Sequence, residues 1–212
     1  MTEAEWLACE DPEWMFRVLV SLGMSDRKLQ LFDVARARTI FMPIDDRSWA
    51  AVWVAERQAD GQADAKEVAA ATAGAERALF EYECSGEYLH SPGSAIYGLE
   101  AAVAALSPRG PDERVEARSS TLAVERIAQV ELLRCIFGNP FHPVTLDPSW
   151  LTSTVLALAE GIYSERAFDR LPILADALQD AGCENSDVLY HCRGPGPHVR
   201  GSFVVDLLTG RT

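Results

Sequence analysis

The sequence predicts an all-α protein of roughly ten helices, well above the helical content of an average domain. Two observations indicate this class. One local pattern recurs along the chain: a capping residue, then an amphipathic run, then glycine or proline. Strict alternation of apolar and polar residues, which is typical of strands, is almost absent. We expect the helices to form either a compact bundle or an irregular, α-solenoid-like array of helical hairpins.

The amino-terminal helices are predicted from their start signals. Thr2 and Glu5 have the spacing of a capping box, and Asp11 followed by Pro12 is a cap with proline at the first helical position. Three further helices are expected to run from Ser25 to Phe41, from Asp45 or Asp46 to Gly61, and from Asp64 to Glu83. The last of these is rich in alanine, which is the strongest helix former.

The rest of the chain is divided by a linker at 107–111, where proline and glycine cluster. Helices are predicted at 91–106 and 112–136 on either side of this linker, then at 152–166, 172–181 and 186–192, and a last helix ends at Gly210. We expect the whole chain, 1–212, to form a single helical domain, with 107–111 as its best internal boundary.

The segment 138–148 interrupts the helical pattern. Its three prolines remove backbone donors and force the residues before them towards extended conformations, so a helix is excluded. We expect an extended, proline-rich strap at 138–148. Its apolar residues Phe141, Val144 and Leu146 are expected to hold it across the helices.

Charge and composition argue against several classes of protein. The formal net charge is −13, from 32 acidic and 19 basic residues, and such a surface repels nucleic acid and anionic membranes. We expect no secretory signal, because the opening residues are acidic, and no apolar stretch long enough to cross a bilayer. Five scattered cysteines favour reduced thiols and a cytoplasmic location.

The densest set of metal-ligating residue types is Cys183, His191, Cys192 and His198. Two thiolates and two imidazoles would complete the tetrahedron that zinc prefers. This set is therefore the candidate site for a metal ion or for a Cys/His-dependent enzyme. Adjacent residues of a helix point about 100° apart, so His191 and Cys192 share one ion only where the helix has unwound. The alternative is that the cysteines are small buried hydrophobic residues and the histidines anchor a loop.

A second candidate site consists of Arg193, His198 and Arg200. They flank a Gly-Pro turn at 194–197 just before the last helix, where exposed amides and guanidinium groups could hold a small anion. The alternative is that the arginines pair with carboxylates of neighbouring helices. A further basic group near the amino terminus is interpreted as a solvated helix face. It contains Arg27, Lys28, Arg36 and Arg38.

The sequence contains no catalytic signature. Cys192 with His198, or Cys135 with His142, could act as nucleophile and base, but neither pair lies in a recognisable motif. The sequence therefore does not decide whether the protein is an enzyme, and it favours a non-catalytic protein.

Tryptophan placement indicates a different role. Four of the five tryptophans lie early in the chain, and an exposed subset would mark a surface that binds a partner. They are Trp6, Trp14, Trp49 and Trp53. The leading hypothesis is a helical protein-interaction or scaffold module whose partner is another protein. It needs no cofactor; zinc is the alternative if the Cys/His set binds a metal.

Three segments resemble a family of proteins. They are Thr2-Glu-Ala-Glu-Trp-Leu7, the strap sequence Gly138-Asn-Pro-Phe141 with Pro143-Val-Thr-Leu-Asp-Pro148, and the closing His191-Cys-Arg-Gly-Pro-Gly-Pro-His-Val-Arg-Gly201. Together they resemble a large uncharacterised family of paralogous proteins in planctomycete-type bacteria, and the resemblance spans nearly the whole chain. It implies a bacterial setting and a single-unit architecture, and it implies no activity and no catalytic residue.

Overall fold

The structure is a computed structural model that describes residues 1–39, 45–85, 103, 106 and 123–211, with the backbone alone at 123 and 124. Ten α-helices and no strand lie within these residues, which confirms the predicted all-α class. The helices are α1 (Glu3–Ala8), α2 (Pro12–Ser21), α3 (Asp26–Thr39), α4 (Asp46–Ala59), α5 (Ala65–Cys84), α6 (Ala123–Phe137), α7 (Ser153–Glu165), α8 (Leu171–Asp180), α9 (Ser186–Arg193) and α10 (Phe203–Thr209). Short 3₁₀ helices at Pro148–Trp150 and Phe168–Arg170 lie on either side of α7.

One predicted helix and the predicted linker cannot be compared with the structure. The linker at 107–111 lies outside the described residues, as does the helix at 91–106 apart from Val103 and Leu106, which are helical.

The predicted start signals form the caps that their chemistry suggests. In α1 the Glu5 amide donates to Thr2 Oγ1 at 3.3 Å, and the Thr2 amide donates to Glu5 Oε2 at 2.6 Å, so the capping box is complete. Asp11 accepts a hydrogen bond from the Glu13 amide at 3.0 Å at the start of α2. Each of these caps satisfies amides that the first helical turn leaves without a partner.

The contacts divide the chain into two compact units. One consists of residues 1–9 and 131–212, and the other of residues 10–130. Neither division falls at the predicted boundary 107–111, which lies outside the described residues. The prediction of a single domain stays a prediction.

In the unit of residues 10–130, α4 packs against both α3 and α5. The core between them is built mainly of small apolar residues, among them Ala37, Ala51, Val52, Ala55 and Ala75. Small side chains allow helix axes to approach closely.

The interpretation of the α3 basic residues as a solvated face is wrong for part of the group. Arg36 and Asp33 are both buried, and their charged atoms lie 3.7 Å apart. Arg38 reaches the buried carboxylate of Glu56 at 3.2 Å. A buried charge is costly unless an opposite charge and hydrogen bonds compensate for it. The Arg38–Glu56 pair therefore connects α3 to α4, whereas the Asp33–Arg36 pair lies within α3.

In the unit of residues 1–9 and 131–212, the core is formed by α7, α8, α9 and α10. Its buried residues are Trp150, Val155, Ala159, Ile162, Tyr163, Leu171, Leu174, Ala175, Leu178, Cys183, Val188, Cys192, Val204, Val205 and Leu208. α8 packs on α9, and α7 packs on both α8 and α10. Each of these helices thus buries one apolar face against another helix of the same unit.

The strap at 138–148 is confirmed, because no helix occurs in it before the 3₁₀ turn that begins at Pro148. Val144 and Leu146 pack on the core of the same unit. The ring of Phe141 lies 6.5 Å from that of Trp6, and Trp6 Nε1 donates to the carbonyl of Gly138 at 3.1 Å. Arg134 also donates to the carbonyls of Leu7 and Cys9. The strap and the end of α6 are thereby attached to α1.

Across the described residues, no helix is both long and apolar enough to cross a membrane.

Candidate metal centre

The last helices bring two histidines together. Asn185 caps α9 by accepting hydrogen bonds from the amides of Asp187 and Val188 at 3.0 and 3.1 Å. α9 carries His191 in its last turn and ends at Arg193, and the chain then turns through 194–201 before α10. His198 lies in this turn, and its ring meets that of His191 edge-on at 4.9 Å between centroids.

His198 has one nitrogen with a partner and one without. Its Nε2 lies 3.0 Å from the carbonyl oxygen of Gly194. A carbonyl can only accept, so Nε2 carries the proton and Nδ1 presents a lone pair. That Nδ1 is buried and has no hydrogen-bond partner in the described part of the chain. This is the arrangement found in metal-ligating histidines, which donate one N–H to a carbonyl and ligate through the other nitrogen.

The turn depends on glycine at position 196. Gly196 has a φ of +85°, and a Cβ there would lie 2.8 Å from the His198 backbone nitrogen and 3.1 Å from its ring. Any side chain would force His198 away. The glycine therefore allows the turn to fold closely onto the imidazole.

His191 is held from two sides. Its Nε2 lies 2.9 Å from Ser202 Oγ, and the ring of Phe203 lies 4.6 Å away. Burial, with the nearby His198 as a smaller cause, lowers the pKa of His191 to about 3. The imidazole is therefore neutral near pH 7, which is the form that binds metals.

The third member of the group is Cys135, in the last turn of α6. Gly138, just after α6, has a φ of +62°, and a Cβ there would lie 3.1 Å from the Phe203 ring. This close packing sets the end of α6 beside the start of α10, where the two histidines lie. Donor atoms of Cys135, His191 and His198 all fall within 4.8 Å of one another, and they form the one such group among the residues that the structure describes.

These donors suit a transition metal. Tetrahedral zinc separates its donor atoms by about 3.3 to 3.6 Å, so a group within 4.8 Å needs to close by at most about 1.5 Å. Side-chain rotation can supply a movement of that size. One thiol and two imidazoles prefer zinc and its neighbours over magnesium or calcium, which take oxygen ligands.

The structure brings together half of the predicted metal set. His191 and His198 lie in the group, whereas Cys183 and Cys192 belong to the hydrophobic core of their unit. Burial raises the pKa of the Cys183 thiol, and it raises that of Cys192 to about 12. Both are therefore protonated near pH 7 and behave as small apolar residues. Cys135 was predicted only as a partner of His142, because nothing in its local sequence connects it to the carboxyl-terminal histidines.

The predicted anion-binding residues have separate neighbours. Arg193 donates to Asp176 Oδ1 and to Gln179 Oε1, both at 2.8 Å. It thus pairs with a neighbouring helix, which was the alternative to anion binding. The Arg200 guanidinium lies 4.3 Å over the ring of Tyr163. His198 faces His191 instead of either arginine.

The predicted nucleophile pairs are not supported by the geometry. His142 is exposed, and its Nδ1 lies 4.0 Å from Glu3 Oε1. A thiol with the pKa of Cys192 is a poor nucleophile at neutral pH.

A cleft of about 600 Å³ lies beside the strap, apart from the Cys/His group. Its polar lining includes Asp147 and Asn185, whose side chains accept hydrogen bonds from the amides that they cap. These polar groups are therefore engaged in holding local structure.

Comparison of the chain with protein-family models, with curated proteins and with solved structures gave no match. The resemblance to a planctomycete-type family stays a prediction, and function rests on the site itself.

Proposed function

We propose that this chain binds a transition metal ion, with zinc as the first candidate, through Cys135, His191 and His198. The observation that carries the proposal is His198 Nδ1, a buried lone pair without a partner that belongs to a group of three soft or borderline donors. A buried polar atom left unsatisfied costs about 1 to 3 kcal/mol. A bound ion removes that cost.

The groups around the donors support the same function. Ser202 Oγ contacts His191, and the Gly194 carbonyl accepts from His198, so each imidazole is oriented by a second polar group. Such contacts fix the ligating nitrogen and raise metal affinity. Zinc binding would deprotonate Cys135 and release a proton. A reducing compartment such as the cytoplasm, as the sequence predicts, keeps this thiol available.

Metal titration of the purified full chain tests the proposal. The metal-free protein is titrated with Zn²⁺ against a competing chelator, and the bound metal is measured by elemental analysis. We expect one zinc per chain in the wild type and at least a tenfold loss of affinity in Cys135→Ala and in His198→Gln.

The matched controls are Cys183→Ala and Cys192→Ala, which remove buried thiols of the same unit that lie outside the group. They should bind zinc as the wild type does. Binding that survives Cys135→Ala unchanged, or a wild-type chain that takes up no zinc, would show that the proposal is wrong.

A second candidate function is the protein-interaction module, and one observation favours it. Trp49 and Trp53 lie four residues apart on α4, hence on the same helix face, and they are 40% and 50% exposed. Tryptophan is enriched at the centres of interfaces. The net charge of −13 favours a partner protein with a basic surface.

Site-specific crosslinking tests this second function. A photo-crosslinking amino acid replaces Trp53, and the control replaces Phe80, which is 64% exposed on α5 in the same unit. We expect one discrete crosslinked protein, basic in sequence, from position 53 alone, and we expect Trp49→Ala to abolish it. Equal crosslinking from both positions, or none, counts against an interface on α4.

A further inference from the structure

The strap has the side-chain pattern of a strand that lies at the surface of its unit. Val144 and Leu146 pack on the core, whereas Thr145 and Asp147, which alternate with them, are exposed. This is the alternation of an extended chain, in which successive side chains point to opposite sides. The backbone at Asp147 is extended as well, with a φ of −87° and a ψ of 122°. The strap therefore presents its backbone along an edge, as a β-strand does.

That backbone edge borders the cleft of about 600 Å³, whose lining includes Val144, Thr145 and Leu146. In the described part of the chain, these three residues make no hydrogen bond to another backbone group. A volume of this size is typical of ligand sites. An unpaired strand edge is also a template on which a second extended chain can pair through its own amides and carbonyls. The shape and the backbone of the cleft thus favour an extended peptide.

The charges in the lining indicate which kind of peptide fits. Two exposed carboxylates, those of Asp147 and Asp187, line the cleft, and His142 is the one basic side chain among its described lining residues. Hydrogen bonds from the Ser149 amide and hydroxyl lower the pKa of Asp147, so this carboxylate is ionised at neutral pH. Both bonds end on Oδ1, which leaves Oδ2 to accept from a ligand. The lining is therefore complementary to a positively charged ligand.

We propose that the cleft binds an extended, basic segment of a partner protein. The backbone of that segment pairs with the strap at 144–146, and a lysine or arginine side chain places its charge beside Asp147 and Asp187. Trp150, which also lines the cleft, offers an apolar surface to the stem of such a side chain. No residue of the Cys/His group or of α4 belongs to the described lining, so this site goes beyond both functions proposed above.

A peptide array tests the proposal with the purified full chain. The array holds short peptides that alternate lysine or arginine with valine, threonine or tyrosine, and matched peptides that carry glutamate at the basic positions. We expect binding to basic peptides alone, and the affinity of the strongest is then measured by fluorescence anisotropy. Asp147→Asn and Asp187→Asn should each weaken that affinity about two- to fivefold, which is the size expected for one exposed ion pair.

The variants keep the fold intact. Asparagine at position 147 retains an oxygen that can cap the following 3₁₀ helix, so this change removes the charge and keeps the cap. The matched control is Asp180→Asn, which removes an exposed carboxylate of the same unit outside the cleft lining. It should bind the peptide as the wild type does.

N-methylation of the peptide tests pairing with the strap separately from charge. The amides of alternate residues of a strand point to the same edge, so methyl groups can block one edge at a time. We expect methylation of one edge to abolish binding and methylation of the other edge to leave it unchanged.

Several results would overturn the inference. Equal binding of basic and glutamate peptides, or binding of neither, would exclude a site for basic peptides. Lysine amide that binds as tightly as the best peptide, or equal effects of methylation at both edges, would show that the cleft takes a small cation and not an extended chain. A wild-type dimer that Asp147→Asn dissociates would assign the cleft to a second copy of this chain. None of these measurements depends on a metal ion, so their failure is distinguishable from failure of the proposed metal binding.

Discussion

Burial gives the cysteines different chemical roles. Cys84 is exposed at the end of α5, whereas Cys135, Cys183 and Cys192 are buried. A buried thiol in apolar surroundings keeps its proton, and the pKa of Cys192 rises to about 12 for this reason. Cys135 differs because two imidazoles lie beside it, and a bound cation there would stabilise its thiolate. Residue type alone therefore does not decide which cysteine is functional.

The buried Trp6 joins the amino terminus to the strap through one partly buried hydrogen bond, from Nε1 to the Gly138 carbonyl. Trp6→Phe keeps most of the apolar contact but leaves that carbonyl unsatisfied. We expect a loss of about 1 to 2 kcal/mol in the free energy of unfolding, measured by urea denaturation.

The matched control is Trp53→Phe, which changes a half-exposed side chain. Its effect should stay within about 0.5 kcal/mol. Equal losses in the two variants would mean that the Trp6 hydrogen bond contributes no stability of its own.

At the scale of the helices, caps explain where elements begin, and one exception is informative. Ser202 precedes α10 but makes no side-chain hydrogen bond to its own helix. Its hydroxyl contacts His191 Nε2 instead. Because a serine cap normally satisfies a helix amide, its use here sacrifices local stability to orient the imidazole. Local rules are commonly broken in this way at functional sites.

Asp45 caps α4 in the ordinary way. Its Oδ1 accepts from the Ser48 amide at 3.0 Å, and its Oδ2 accepts from Arg47 Nε at 2.7 Å. Asp45→Ala should destabilise the protein by about 1 kcal/mol near pH 7, measured by chemical denaturation. Asp45→Asn keeps a capping oxygen and should therefore lose less stability than Asp45→Ala.

The Asp45 effect should also depend on pH. Burial alone would raise the pKa of this carboxyl, but hydrogen bonds from Ser48 and Arg47 outweigh burial and lower it. A lowered pKa means that the stabilisation is complete above the ordinary value of about 4 and is lost as pH falls through the folded-state value. The difference in the free energy of unfolding between wild type and Asp45→Ala should therefore become smaller on acidification. A difference in the free energy of unfolding that is just as large at about pH 3 would contradict the role of the carboxylate charge.

At the scale of the whole molecule, the candidate metal site joins segments that are distant in sequence. Cys135 lies in the last turn of α6, His191 lies on α9, and His198 lies in the turn before α10. An ion bound by all three holds these segments together in the folded state. Ligand binding to the folded state raises stability by about 2.7 kcal/mol at a free concentration one hundred times the dissociation constant.

We therefore expect zinc to raise the free energy of unfolding of the wild type and a chelator to reverse the increase. The measurement is urea denaturation of the full chain with and without free Zn²⁺. Cys135→Ala should show little increase, while Cys183→Ala should respond as the wild type does. An equal increase in Cys135→Ala would place the stabilising ion elsewhere.

The sequence by itself determined the helix starts and the strap, because both depend on local chemistry. Caps, glycines and prolines act within a few residues, so Thr2, Asp11 and Asp45 mark true helix starts, and the prolines of 138–148 exclude a helix there. The same reasoning identified His191 and His198 as candidate ligands, because they lie close together in sequence.

Tertiary packing decided which cysteine lies beside the histidines and which charged residues are buried. Cys135 reaches the histidines only because the end of α6 packs against Phe203 through Gly138. Cys183 and Cys192, which are closer in sequence, face the core instead. Likewise the sequence predicts a solvated side chain for Arg36, whereas packing of α3 buries it. Burial and the meeting of distant segments depend on how helices pack, and no local pattern along the chain encodes them.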